Sequence, residues 1–165
     1  MTTTTAPRAD GRVLALAHHA ARAVLEGVLT RHGITFHQSV TLRAAAAAGG
    51  APGRDALVGD VAGSLKADAA LVSGVIDELV AAGLLEADPT DPAAPTDQAD
   101  PTDQADPARV RLTDAGRATY DATAAESAAL SARLYDGIPD EDLRVVGRVL
   151  TLITERANAA LAAGA

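Results

Sequence analysis

No cysteine occurs in the 165 residues. Its absence excludes disulfides, thiolate metal sites and thiol-based redox sensing. Aromatics are nearly as scarce: Phe36, Tyr120 and Tyr135 are all there are, and there is no tryptophan. A core must therefore be assembled from alanine, leucine and valine. Such small side chains let helices approach closely but bury little area each. A chain of this length then makes one domain, or one domain plus helices that pair with a second copy. No apolar run approaches the roughly 20 residues needed to cross a bilayer. Residues 1–10 are polar and lack the apolar stretch of a secretion signal, which points to a cytoplasmic protein with no membrane partner.

Positive charge is missing from one long stretch. Residues 86–106 hold 7 acidic residues and no basic one, against 22 acidic and 14 basic in the whole chain. The remainder is thus nearly balanced, and almost all of the net charge of −8 sits in one place. The stretch is a hexapeptide repeat: Pro89-Thr90-Asp91-Pro92-Ala93-Ala94, then Pro95-Thr96-Asp97-Gln98-Ala99-Asp100, then Pro101-Thr102-Asp103-Gln104-Ala105-Asp106. It is flanked by Leu84-Leu85-Glu86-Ala87 and Arg109-Val110-Arg111-Leu112, which read as two short strands. The repeat, at 88–107, is therefore an insert at the tip of a hairpin rather than a linker between domains. An acidic chain has little general affinity for nucleic acid or anionic membranes.

Helical periodicity fills the rest. Residues 12–31 place Val13, Leu14, Val24, Leu25, Val28 and Leu29 on one face, and Gly33 ends the helix. Thr35-Phe36-His37-Gln38 is a capping box that opens a second helix, which stops at Gly49-Gly50. A short third helix covers about 55–64, with Leu57 and Val61 inward. Asp68 can cap a fourth, in which Leu71, Val72, Val75, Ile76 and Leu79 recur at helical spacing before Gly83. A fifth runs from about Asp114 to Tyr135. A sixth begins at Ile138-Pro139-Asp140-Glu141-Asp142, with Pro139 expected at its first helical position and acids in its first turn. Its apolar stripe is Leu143, Val146, Val149, Leu150, Ile153 and Ala157. The fold expected is mainly α with a small β-hairpin wing: a winged helix-turn-helix at 34–114, flanked by dimerisation helices at 11–33 and 115–162, after a disordered start at 1–10.

This order resembles the MarR family of bacterial transcriptional regulators. The matching segments are residues 57–66, the run Val75-Ile76-Asp77-Glu78-Leu79-Val80-Ala81-Ala82-Gly83-Leu84-Leu85-Glu86, and Leu112-Thr113-Asp114-Ala115-Gly116. The likeness spans about residues 12–161. It implies a homodimer with two winged helices and a small-molecule pocket between the dimerisation helices and each winged domain. It also implies repression of nearby genes, relieved by a phenolic or otherwise anionic ligand. With the pocket near the first, second and fifth helices, the candidates to hold such a ligand are His18, Arg22, His37, Arg43, Arg117 and Tyr120.

The same resemblance exposes a departure. Recognition helices of the family usually offer lysine, arginine, serine and threonine to DNA, with an arginine at the wing tip. Here Gly74 and Glu78 stand where arginine is common, and the tip is the acidic repeat. Residues 64–88 contain one basic residue, Lys66, and five acidic ones. Phosphate neutralisation supplies most protein–DNA affinity. The contacts left are Arg54, Lys66, Ser73, Arg109 and Arg111, so DNA binding is expected to be weak or narrowly specific. Two rivals follow. The fold has lost DNA and now binds or converts a small molecule, with His18 and His37 as its acid–base groups and Arg22 beside them in the site, or the acidic wing mimics DNA and captures a basic partner as an antirepressor. No nucleotide loop, nucleophile elbow or zinc-protease motif is present. No cofactor is implied, and a metal is not expected: the one set in view, His18, His19, His37 and Glu26, lacks the usual ligand spacing.

Overall fold

The computed structural model describes residues 8–88 and 109–164. The acidic repeat and the disordered start expected at 1–10 fall wholly or mostly outside them. Among the described residues the chain forms six helices and one hairpin: α1 (Gly11–Arg31), α2 (Phe36–Ala47), α3 (Arg54–Leu65), α4 (Ala69–Ala81), β1 (Leu85–Ala87), β2 (Val110–Leu112), α5 (Asp114–Tyr135) and α6 (Asp140–Ala162). It divides into two compact units, Met1–Ala128 and Ala129–Ala165. The expected winged helix-turn-helix is present, with its short antiparallel wing.

Local chemistry sets the helix ends in the first unit. Asp10 caps α1 by accepting from the Val13 amide at 2.9 Å. The capping box on α2 closes both ways, Gln38 N to Thr35 Oγ1 at 3.2 Å and Thr35 N to Gln38 Oε1 at 2.9 Å. Four orphan amides open every helix, and these side chains satisfy them. α1 and α4 end alike. The Gly33 amide donates to Thr30 and the Ile34 amide to Leu29; the Gly83 amide donates to Val80 and the Leu84 amide to Leu79. Both glycines have φ of 69°. This crossed pair of bonds needs a left-handed residue after the helix, which glycine adopts without steric cost.

The core lies among α2, α3, α4 and the hairpin, with Leu29 and Ile34 at its edge. Leu42, Val61, Val72, Ile76, Leu79 and Leu85 are essentially closed to solvent. Two expectations about faces need correction. Leu71 is exposed, because it lies outside the buried sector of α4, which is Val72, Val75, Ile76 and Leu79. Leu14 and Val24 on α1 are also exposed, and of the predicted stripe only Val28 and Leu29 are buried.

The second unit holds the end of α5, a turn through Gly137 (φ 75°) and α6. Pro139 is the residue before α6 rather than its first helical residue, since Asp142 and Leu143 already donate to its carbonyl. No residue of α6 is buried, and Val146, Val149, Leu150 and Ile153 of its predicted stripe are all exposed. No described helix is long and apolar enough to cross a membrane.

Candidate nucleic-acid interface

The helix-turn-helix is α3, the turn at 66–68 and α4. Lys66 ends α3 in the left-handed conformation (φ 53°, ψ 40°). Asp68 then opens α4, its carboxylate accepting from the Ala70 amide at 2.7 Å. The turn is tight because a left-handed residue and an N-cap stand two positions apart. α4 sets its apolar face inward. At 100° per residue the opposite sector holds Ala70, Gly74, Asp77 and Ala81.

The wing is a three-residue ladder pairing Leu85 with Leu112, Glu86 with Arg111 and Ala87 with Val110. The ladder is joined to other elements at both ends. The Val110 amide donates to the Pro52 carbonyl at 3.0 Å, and Arg109 bridges Gly53, so β2 is tied to the loop before α3. At the other end Thr113 Oγ1 donates to the Gly83 carbonyl at 2.7 Å and accepts from the Gly116 amide at 2.9 Å. The Thr113 amide donates to Leu84 O. Gly116 is buried against that same carbonyl, and a Cβ there would collide with it. The threonine and glycine of the 112–116 segment are thus a joint between the end of α4 and the start of α5.

The residues expected to touch DNA are mostly engaged inside the protein. Arg54 Nη2 donates to Ser73 O at 3.1 Å, Ser73 Oγ at 3.0 Å and Asp77 Oδ1 at 2.7 Å. Arg111 pairs with Glu86 across the ladder at 2.7 Å. Arg109 Nε donates to the Ala51 carbonyl at 2.8 Å. Lys66 is exposed and makes no ion pair among the described residues. The acids of α4 are held too. Asp77 faces Arg54, and Glu78 accepts from Gln38 Nε2 of α2 at 3.0 Å.

The residues expected to hold a ligand are brought together only in part. The Arg22 guanidinium lies 4.5 Å from the Phe36 ring centroid, and the Phe36 and His37 rings stand edge-on at 6.0 Å. Arg22 also binds Glu26 at 2.8 Å rather than turning to His18. His18 is exposed, with its ring against His19 at 5.4 Å. Arg43 and Arg117 are exposed and Tyr120 is half-buried. No group of three or more histidine or acidic side chains suited to a metal comes together among the described residues.

One cluster had no sequence signal. Glu126 of α5 accepts from Arg31 Nη2 at 2.6 Å and lies 2.8 Å from His32 Nε2, joining the end of α1 to α5. The Arg31 hydrogen bond, then that from His32, holds the Glu126 carboxyl below its ordinary value. The partners are 95 and 94 residues apart in sequence. No short-range pattern marks such a pair; the acid at 126 and the base at 31 look like ordinary solvated charges until the helices are packed.

No family model matches the sequence, and no curated protein matches it. Solved structures do. A MarR-family transcriptional regulator from Rhodococcus sp. RHA1 superposes with a TM-score of 0.65 at 22% identity, covering 87% of this chain and 91% of that one. CouR from Rhodococcus jostii RHA1, bound to p-coumaroyl-CoA, gives 0.66 at 23% identity, covering 87% and 90%. MepR from S. aureus, in complex with DNA, gives 0.68 at 17% identity, covering 88% and 94%. The chain has the fold of MarR-family transcriptional regulators.

Proposed function

We propose that the protein is a homodimeric transcription regulator that binds DNA weakly through α4 and the wing and responds to a small phenolic or anionic molecule. One observation carries it: α3, its tight turn, a packed α4 and a short wing are all intact, in a fold shared with a regulator solved on DNA. The weakness follows from the charges. Arg54 and Arg111 are neutralised by Asp77 and Glu86, and three of the four residues in the outward sector of α4 (Ala70, Gly74, Ala81) offer no side-chain hydrogen bond. A ligand is supported by the stacked Arg22 and Phe36 beside His37 and by a neighbour bound to an acyl-CoA.

A second copy is supported by the apolar stripe of α6. Monomeric proteins rarely leave a large contiguous apolar patch in water. Gel shift with duplex DNA from the region upstream of its own coding sequence is the test. A band at micromolar protein and low salt, lost as salt rises, is expected. No shift at low salt would reject DNA binding. The bare outward sector of α4 would then favour the second reading, a fold kept for its ligand, with His18, Arg22 and His37 as the groups to mutate. Capture of a basic partner by the acidic repeat is the remaining alternative, tested by deleting residues 89–106.

A further inference from the structure

We propose that Asp77 is a built-in competitor for phosphate at Arg54, through which the recognition helix lowers its own affinity for DNA. The inference rests on the DNA-binding reading above and adds the residue that sets its strength.

The geometry separates holding from neutralising. Nη2 of Arg54 has two hydrogens and meets three acceptors. Ser73 supplies two of them, its carbonyl and its hydroxyl, on the side of α4 that faces α3. Those two already fix the guanidinium. Asp77 adds the third and shortest contact, and with it a full negative charge. The Arg54 side chain is 24% exposed, while that of Asp77 is 69% exposed. The carboxylate is therefore the solvent-facing partner of the pair, and the cation is the more sheltered one. Asp77 also shares its sector of α4 with Ala70, Gly74 and Ala81, which carry nothing to offset it.

A DNA phosphate approaching Arg54 must displace or face that carboxylate. Exchanging one anion for another at the same guanidinium gains little, and the displaced carboxylate stays near the phosphate with like charge. Glu78, the other acid of the helix, is not equivalent. It is turned to the opposite flank, where Gln38 binds it.

The test is a salt series of DNA affinity by fluorescence anisotropy for wild type, Asp77→Asn, Arg54→Met and the double variant, each checked by circular dichroism. The probes are the upstream duplex and a shuffled duplex. Asp77→Asn keeps a hydrogen-bond acceptor for Arg54 while removing the charge. It should tighten binding to both probes by on the order of tenfold and steepen the salt slope by about 1 per recognition helix. In the Arg54→Met background the gain should vanish. Asp77→Ser is the second variant, with the same expectation. Wild-type binding that is unchanged or weakened by both substitutions would overturn the proposal. So would a gain that survives without Arg54, because Asp77 would then act only as a distant charge. Binding by no variant removes the DNA-binding reading and this inference together, whereas binding by wild type with no gain removes the inference alone.

Discussion

Lys66 carries a conformational load and a charge at the same position. Its left-handed backbone costs a non-glycine residue about 1 kcal/mol, while glycine gives back part of that saving through its freer unfolded chain. Lys66→Gly should therefore raise stability by about 0.5 kcal/mol in chemical denaturation. The same change removes an exposed cation from the turn, so DNA binding should weaken and its salt slope fall by about 1 per helix. Stability and binding moving in opposite directions would mark the lysine as kept for its charge. Glu126 makes a second residue-scale case. Its carboxyl is held low by Arg31 and His32, so the folded state prefers it ionised. The stabilisation is then fully present above the ordinary carboxylate value and lost as pH falls through the depressed one. Thermal melts should show Glu126→Gln less stable than wild type near neutrality, with the gap closing on acidification below about 4.5.

Elements were legible where their determinants are local. The capping box of α2, the Asp68 cap of α4 and the glycines after α1 and α4 each depend on residues within a few positions, and all form as the sequence implies. Faces were legible less well. Leu71 has helical spacing with Val75 but lies at the margin of the sector that meets α2 and α3, and periodicity alone cannot tell a margin from a centre. The candidate DNA contacts were identified as residues, but their partners were not. Arg54 and Asp77 are 23 positions apart, and Arg109 and Ala51 are 58 apart; only tertiary packing decides that these cations meet acceptors inside the protein. The joint at 112–116 was visible as a motif without its cause. Its cause is the close approach of Gly116 to the Leu84 carbonyl. Gly116→Ala should cost about 2 to 3 kcal/mol by forcing that carbonyl away, measured as a drop in the denaturation midpoint with an unchanged slope.

At the scale of the whole molecule, what the chain lacks comes back as what it leaves uncovered. With one phenylalanine and no tryptophan, the core closes over α2, α3, α4 and the hairpin, while α6 buries nothing. Val146, Val149, Leu150 and Ile153 then form a stripe that is exposed among the described residues, and a second copy can cover it. Sedimentation should find a dimer at micromolar concentration, and Val146→Asp with Ile153→Asp should shift it to monomer while the helical spectrum of the winged unit persists. A monomeric wild type would contradict the dimer.

The joint at Thr113 has a mechanical meaning. α4 is closed by the turn through Gly83 and Leu84, and the chain entering α5 is bonded at Thr113 to the carbonyls of those same two residues. α5 is 22 residues, about 33 Å at the standard rise. It is thus a long arm clamped at one end to the helix proposed to lie against DNA. Tilting such an arm by about 10° moves its far end by roughly 6 Å, and the clamp obliges α4 to turn with it. Spin labels at Ala70 and Ala118 should keep one separation with and without DNA; a separation that changes would mean that the clamp slips.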